Sequence, residues 1–497
     1  MSQLPDYVAS AKPNPPENRV GWLTSTAAAY AGIMLWFAFW QNVPTGGTDA
    51  VAGGVLSQGL LFALISLVIA AFICYFCFYH VPGMLGMKTG LPLYIVGTST
   101  YGVTGGFLMP GFLMGCLQFG WLSVNGYFAG AGLASIIQGV PIGDVLNSPP
   151  WSKEGANMTL WAWHMGLGIG WSVVAAFIGL KGIKYVGMIA SYLPIIPVVA
   201  LLYLLACTIG GVFDFSPSQA VSVATTAEKT VEPVGLYGLG SLGSLAGQLG
   251  VLSLVCAYVV GFFATAGAAG CDFGSNNKDR SAVIMGGLVG IVGATIFTGA
   301  IALIAVAGSQ GIEGASLNPY NSLPAIMGKD AGGIFMLLLA IAAFPSACFS
   351  TLIAANSFKT TLPKVNPFIS CGIGTLAACG LIFSGFAGQS GNVFTLIGAS
   401  FGPVCGAMMA DYLLAGKKWA GPRAGFNLAG WISWVVGFIV GGITLLASGD
   451  LYLKFDLPIQ IPCPPVSAFL VGFGLYWVLA RMGLESKKLD MPQRIDQ

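Results

Sequence analysis

The sequence predicts an all-α polytopic membrane protein with about twelve transmembrane helices, since each crossing of a hydrocarbon core takes about 20 apolar residues. Three observations carry that prediction. The 497 residues are 56% hydrophobic and only 8% charged, whereas soluble domains average about 25% charged. Apolar runs long enough to cross a bilayer recur along the whole chain. Basic residues also segregate: of the 20 Lys and Arg, only Lys153, Lys229, Lys329 and Lys454 fall in one alternate set of loops. Basic loops stay on the cytoplasmic side, so both termini are expected in the cytoplasm of a multi-pass cell (inner) membrane protein.

Composition excludes other classes. A net charge of +2 offers no electrostatic footprint for nucleic acid, and the partners expected are the lipid bilayer and a small molecule, with oligomeric state left open. The 11 cysteines lie mostly inside apolar runs without ligand spacing, which suits small buried residues better than metal sites or disulfides. His80 and His164 are the two histidines, too few for a cluster. No cofactor fingerprint and no paired acids at depth point to an enzyme.

Taken in order, residues 1–21 are polar and proline-rich. Ala11-Lys12-Pro13-Asn14-Pro15-Pro16 lacks the apolar core of a signal peptide, so a disordered cytoplasmic lead-in is expected. Apolar spans are expected at 24–43, 55–79, 107–138, 160–180, 185–207, 246–271, 283–307, 331–357, 368–386, 392–414, 427–447 and 463–482. The stretch Met84 to Thr104, containing Lys88-Thr89-Gly90-Leu91-Pro92, reads as interfacial or partly re-entrant. Spans one and six look interrupted, by Gln41-Asn42-Val43-Pro44-Thr45-Gly46-Gly47 and by Ala264-Thr265-Ala266-Gly267-Ala268-Ala269-Gly270. Matched breaks opening two halves of five spans point to an inverted-repeat transporter. The expected organisation is therefore 1–21 lead-in, 22–245 first repeat with an extracellular loop, 246–420 second repeat, 421–483 spans eleven and twelve, and 484–497 cytoplasmic tail.

Few ionisable groups fall at mid-membrane depth. Asp272 and Asp411 lie near the cytoplasmic ends of spans six and ten, and Lys359 just past span eight. A proton-driven carrier needs a titrating group and accepts its cost, so their absence favours sodium held by neutral oxygens. Span eight supplies such oxygens: Ala347, Ser350 and Thr351 stand at i, i+3 and i+4 and share one helical face. Hydroxyls in membrane helices also bond back to their own helix or let a neighbour pack closely, the plainer account of the same residues. In span three, Gln118, Trp121 and Asn125 share a face too. A tryptophan face with carboxamides suits a flat, uncharged, hydrogen-bonding molecule, and Trp36, Trp40, Phe262 and Phe263 add aromatic surface.

The run from Leu396 through Gly402-Pro403 to Asp411-Tyr412 resembles span ten of the nucleobase:cation symporter family 1. Gln118-Phe119-Gly120-Trp121 is similar to span three of its cytosine permeases. Ser350-Thr351 with Ala354-Ala355-Asn356 is similar to span eight of its hydantoin transporter, and Lys88-Thr89-Gly90 and Ala266-Gly267 through Asp272-Phe273 match the same pattern. The resemblance implies a carrier of the amino acid-polyamine-organocation superfamily type: a five-plus-five inverted repeat with two extra C-terminal helices. It implies sodium bound by the Ala347 carbonyl and the Ser350 and Thr351 side chains, with span-one carbonyls from Phe37 or Ala38 and from Trp40. Substrate would lie between Trp121 and Phe263, with Gln41, Gln118, Asn125 and Asn356 on its edges. Three departures bear on substrate: Phe263 replaces a tryptophan, Phe262 a glycine and Leu352 an asparagine.

The function expected is sodium-coupled import, by alternating access, of a nucleobase or related small neutral heterocycle. The alternative is a proton-coupled or uncoupled carrier of another small polar metabolite, such as an amino acid, a thiamine precursor, allantoin or a hydantoin.

Overall fold

A computed structural model describes residues 4–24, 54–150, 156–182, 193, 195–219, 245–315, 319–447 and 461–491. Among them the regular structure is helical, with two isolated bridges, Val20 to Asn277 and Arg423 to Lys488. Eleven helices carry the fold. They are α1 (Leu60–Thr89), α2 (Phe107–Gln138), α3 (Met158–Leu180) and α4 (Ile195–Asp214), then α5 (Leu245–Gly274). After these come α6 (Arg280–Ser309), α7 (Lys329–Lys359), α8 (Pro367–Phe383) and α9 (Ser390–Leu414), followed by α10 (Leu428–Ala447) and α11 (Pro464–Arg481). Nine are at least 18 residues long and apolar enough to cross a membrane; α8 and the Leu428–Ile443 stretch of α10 are apolar but shorter. The expected span 24–43, with its break at 41–47, lies outside the described residues.

Outer faces confirm the solvent. On α1, Leu61, Ile65, Ile69, Phe72 and Phe76 are all exposed and recur at helical spacing along one stripe. Phe368, Ile369, Ile373 and Leu376 of α8, and Leu428, Ile432, Val435 and Ile439 of α10, repeat the pattern. Exposed apolar stripes this long need a lipid partner. The chain is a multi-pass membrane protein.

One expectation about breaks changes. The sixth span is not interrupted at 264–270: α5 is helical from Leu245 to Gly274. Its glycines serve close packing instead. A Cβ on Gly267 would fall 2.5 Å from the Phe78 Cβ, and one on Gly86 of α1 would fall 1.9 Å from the Cys271 carbonyl oxygen. Small residues let two membrane helices approach backbone to backbone, and here they do so on both partners. Bends occur elsewhere. Within the first turns of α2, Met109 leaves helical geometry (φ −132°, ψ 116°) beside Pro110. The helix α7 turns at Ala343, because Pro345 has no N–H to give the carbonyl four residues back.

The lead-in is also not a free segment in its described part. Asn14 N–H donates to the Gly90 carbonyl at 2.8 Å, its side-chain amide to the Ser275 carbonyl at 3.0 Å, and Arg19 Nη1 to the Met87 carbonyl at 2.6 Å. Gly90 ends α1 in the left-handed region (φ +67°) and bonds back to Gly86, the usual helix stop that glycine permits. Residues 4–24 thus strap the ends of α1 and α5. Residues 91–101, expected at an interface, are buried in protein as two short helices, Leu93–Val96 and Thr98–Tyr101. We call the side holding the lead-in and residues 484–491 the terminal face.

Candidate functional site

The site is built from α2, α5, α7 and α9. On α2, Trp121 is buried, and its indole N–H donates to Thr265 Oγ1 of α5 at 3.1 Å. Buried indoles find such partners because an unpaired N–H is costly. Two rings cover the indole. Phe262 meets it edge-on with centroids 4.5 Å apart, and Phe394 of α9 stacks on it at 5.0 Å with planes 28° apart. Phe262 and Phe394 also touch edge to face at 5.7 Å. These separations are those at which aromatic pairs attract. Phe263, expected opposite Trp121, is fully buried and meets Phe262 at 5.3 Å. The ring that α5 presents to Trp121 is Phe262.

Beside this aromatic wall the expected amides differ in how much capacity is used. Asn125 is the most engaged: its amide donates to the Trp121 carbonyl at 2.9 Å, and its Oδ1 lies 2.8 Å from the Ser346 hydroxyl of α7. It therefore couples α2 to α7 just beyond the bend at Ala343. Gln118 is buried and has a weak donor contact to Met114 Sδ at 3.4 Å, so among the described residues most of its hydrogen-bonding capacity is uncommitted. Asn356, six residues past Ser350, is exposed on α7. Gln41 lies outside the described residues.

The hydroxyl pair is on α7. Ala347, Ser350 and Thr351 are all buried. Ser350 Oγ–H donates to the Ser346 carbonyl at 3.1 Å, the back-bonding weighed above, which leaves the oxygen's lone pairs available. Thr351 Oγ1 is buried without a hydrogen-bond partner among the described residues. An unsatisfied buried hydroxyl costs about 1–3 kcal/mol; Ser172, Thr295 and Thr298 have hydroxyls in the same state, and what sets Thr351 apart is its place beside the Ser350 hydroxyl. A small hard cation coordinated by neutral oxygens satisfies such a pair without a fixed charge. Phe37, Ala38 and Trp40, the expected span-one contributors, lie outside the described residues.

Three side chains escaped the sequence reading: Phe394, Thr265 and Ser346. Phe394 stands two residues before the Leu396 motif, but nothing local announces a contact with a tryptophan 273 positions earlier. Thr265 lies within the run expected to be a helix break, and Ser346 stands outside the set of Ala347, Ser350 and Thr351.

The helical membrane scaffold with a neutral aromatic and amide site at the meeting of four helices defines a transporter. Residues 24–455 match the family model for permeases for cytosine/purines, uracil, thiamine and allantoin, and the chain belongs to that family. It is thus a membrane carrier of nucleobase-like compounds and not an enzyme. Solved structures share the fold. Mhp1, a nucleobase-cation-symport-1 family transporter, in a closed conformation with bromovinylhydantoin bound, is similar with a TM-score of 0.58 at 15% identity, over 95% of this chain and 97% of Mhp1. Its inward-facing form gives the same TM-score and identity, over 96% of each chain. A Na+-coupled sialic acid symporter in a substrate-bound outward-open state gives 0.51 at 14% identity, over 98% of this chain and 93% of that one. No curated protein sequence matches the chain.

Proposed function

We propose that the protein is a sodium-coupled importer of a nucleobase or related small neutral heterocycle, working by alternating access between two inverted five-helix repeats. The carrying observation is the pairing of an aromatic wall with an unpartnered buried hydroxyl: Trp121, Phe262 and Phe394 on one side, Thr351 on the adjacent helix. Every side chain in this set is neutral, which matches an uncharged substrate and leaves the ion as the moving charge. A flat ring can stack on Trp121 while Gln118 reads its edge. Phe394 covers one face of the indole, so a flat ring stacking there requires α9 to give way. Asn356, exposed on α7, belongs to the path toward the terminal face.

Sodium fits Ser350 and Thr351 because both offer lone pairs and neither carries charge. One cation crossing 100 mV releases about 2.3 kcal/mol, enough for roughly 50-fold accumulation of a neutral solute. The excess of basic residues in the loops of the terminal face puts that face, with both termini, in the cytoplasm.

A thermal-shift panel of nucleobases, hydantoins, thiamine precursors and amino acids, each with and without sodium, tests this reading. A ligand at free concentration L that binds only the folded state stabilises it by RT ln(1 + L/Kd) and so raises the melting temperature. The expected result is a shift by one heterocycle that grows when sodium replaces potassium. Equal shifts in the two salts would remove the coupling, and a shift by an amino acid alone would remove the substrate class.

A further inference from the structure

A second buried cluster lies at the terminal face, and nothing in the transport reading uses it. Asp411, at the end of α9, is buried and receives three donors. Arg423 Nη1 reaches its Oδ1 at 2.8 Å, the Tyr476 hydroxyl of α11 the same oxygen at 3.0 Å, and the Ser99 hydroxyl its Oδ2 at 2.6 Å. The other prong of the guanidinium, Nη2, holds Glu485 Oε1 at 2.6 Å, which Tyr476 also approaches at 3.1 Å. Arg423 and Asp411 are almost fully buried, and the Glu485 side chain is 28% exposed.

The backbone around the cluster is woven in two layers of hydrogen bonds. In the inner layer, Val103 N–H donates to the Arg423 carbonyl at 2.7 Å and Thr104 N–H to Gly425 at 2.9 Å. In the outer layer, Ala424 N–H donates to Lys487 at 2.9 Å and Leu489 N–H to Pro422 at 2.8 Å. Asn427 ties both sides, giving its amide to the Thr100 carbonyl at 2.7 Å and accepting from Ser486 N–H at 3.0 Å. Gly102 is required in the inner layer: it sits at φ +83°, and a Cβ there would fall 2.2 Å from the Gly425 carbonyl oxygen. Above the weave, α9 and α11 are in backbone contact; a Cβ on Gly406 would lie 2.2 Å from the Phe469 carbonyl oxygen.

We propose that residues 485–489 form a strut that locks the terminal half of α9 to α10, α11 and the 98–104 loop, making Arg423 and Glu485 positioning residues for transport. The last two helices are then a working part of the carrier. Motion of α9 is confined to its opposite half, the half that bears Phe394. This inference rests on the transporter reading for its consequence and on the cluster alone for its structure. Glu485 is the removable member, because it is the most exposed and ends no helix.

The test uses the full-length protein in detergent and in proteoliposomes, with Glu485→Gln and Arg423→Lys as variants. Arg423→Lys keeps the charge and loses one prong, so it should reproduce Glu485→Gln. Hydrogen–deuterium exchange should quicken about threefold in peptides covering 98–104, 405–414 and 420–428, with 113–125 unchanged. In uptake, the maximal rate should fall at least fivefold with half-saturation changed less than twofold. Unchanged exchange, or exchange that quickens across the whole chain, would overturn the strut, and so would a rise in half-saturation at constant maximal rate. If the wild-type protein moves no heterocycle, the transport reading fails while the exchange arm still decides the strut.

Discussion

The two buried polar regions of this protein differ in charge and in how their oxygens are engaged. Around Trp121 and Thr351 every group is neutral and capacity is left over: among the described residues Thr351 has no partner, and Gln118 holds only a sulfur contact. Around Asp411 the groups are charged, and both of the aspartate's carboxylate oxygens have donors. One buried donor there, Arg423 Nε, has no partner among the described residues, but a carboxylate paired on both oxygens in a low-dielectric interior specifies one arrangement and resists exchange of partners. The contrast favours ligand binding in the first region and rigidity in the second.

The largest expected effect lies in the rigid region. Arg423→Met leaves Asp411 buried and uncompensated, which costs about 3–5 kcal/mol, so the melting temperature in detergent should drop steeply. If it holds, the cluster is solvated and the contrast collapses. Gly267→Ala comes next. Overpacking against Phe78 should cost about 1–3 kcal/mol, whereas a broken helix at that point would accept alanine without loss.

In the binding region the effects fall on ligands. Trp121→Ala removes a stacking face worth about 1–3 kcal/mol per base, so substrate half-saturation should rise about 5- to 150-fold while the sodium response survives in the absence of substrate. Thr351→Val gives the sharpest sign. Replacing an unpartnered hydroxyl by a methyl of the same shape removes a desolvation cost of about 1–3 kcal/mol. The variant should therefore melt higher than wild type in sodium-free buffer and lose the shift that sodium produces. A lower melting point would mean the hydroxyl is satisfied. The smallest effect is Glu485→Gln on global stability, about 1 kcal/mol or less for a partly exposed ion pair, and local exchange should respond on the same scale.

Much of this contrast was legible in the chain. The expected spans 107–138, 160–180 and 392–414 match α2, α3 and α9 closely, because apolar length is set by the bilayer and written locally. The shared face of Gln118, Trp121 and Asn125 is likewise a consequence of helical spacing alone. What failed was the reading of glycine: the run at 264–270 has the composition of a break and the role of a packing seam, and only the partner surface on α1 distinguishes the two. Pairings across the fold were illegible for the same reason. Ser346 finds Asn125 across 221 residues and Arg423 finds Glu485 across 62, and neither partner carries a local mark of the other. The proline-rich lead-in looked like a free segment because its hydrogen-bond partners lie in distant loops.

The central claim is that neutral oxygens on α7 couple sodium to heterocycle movement. Uptake of the heterocycle picked out by the thermal-shift panel, into proteoliposomes at fixed pH under an inward sodium gradient, tests it most directly. The account predicts accumulation by wild type in sodium, equilibration at most in potassium, and loss of the sodium-driven component in Thr351→Val despite its higher stability. Accumulation of the same extent in potassium, or a Thr351→Val protein that accumulates like wild type, would contradict it.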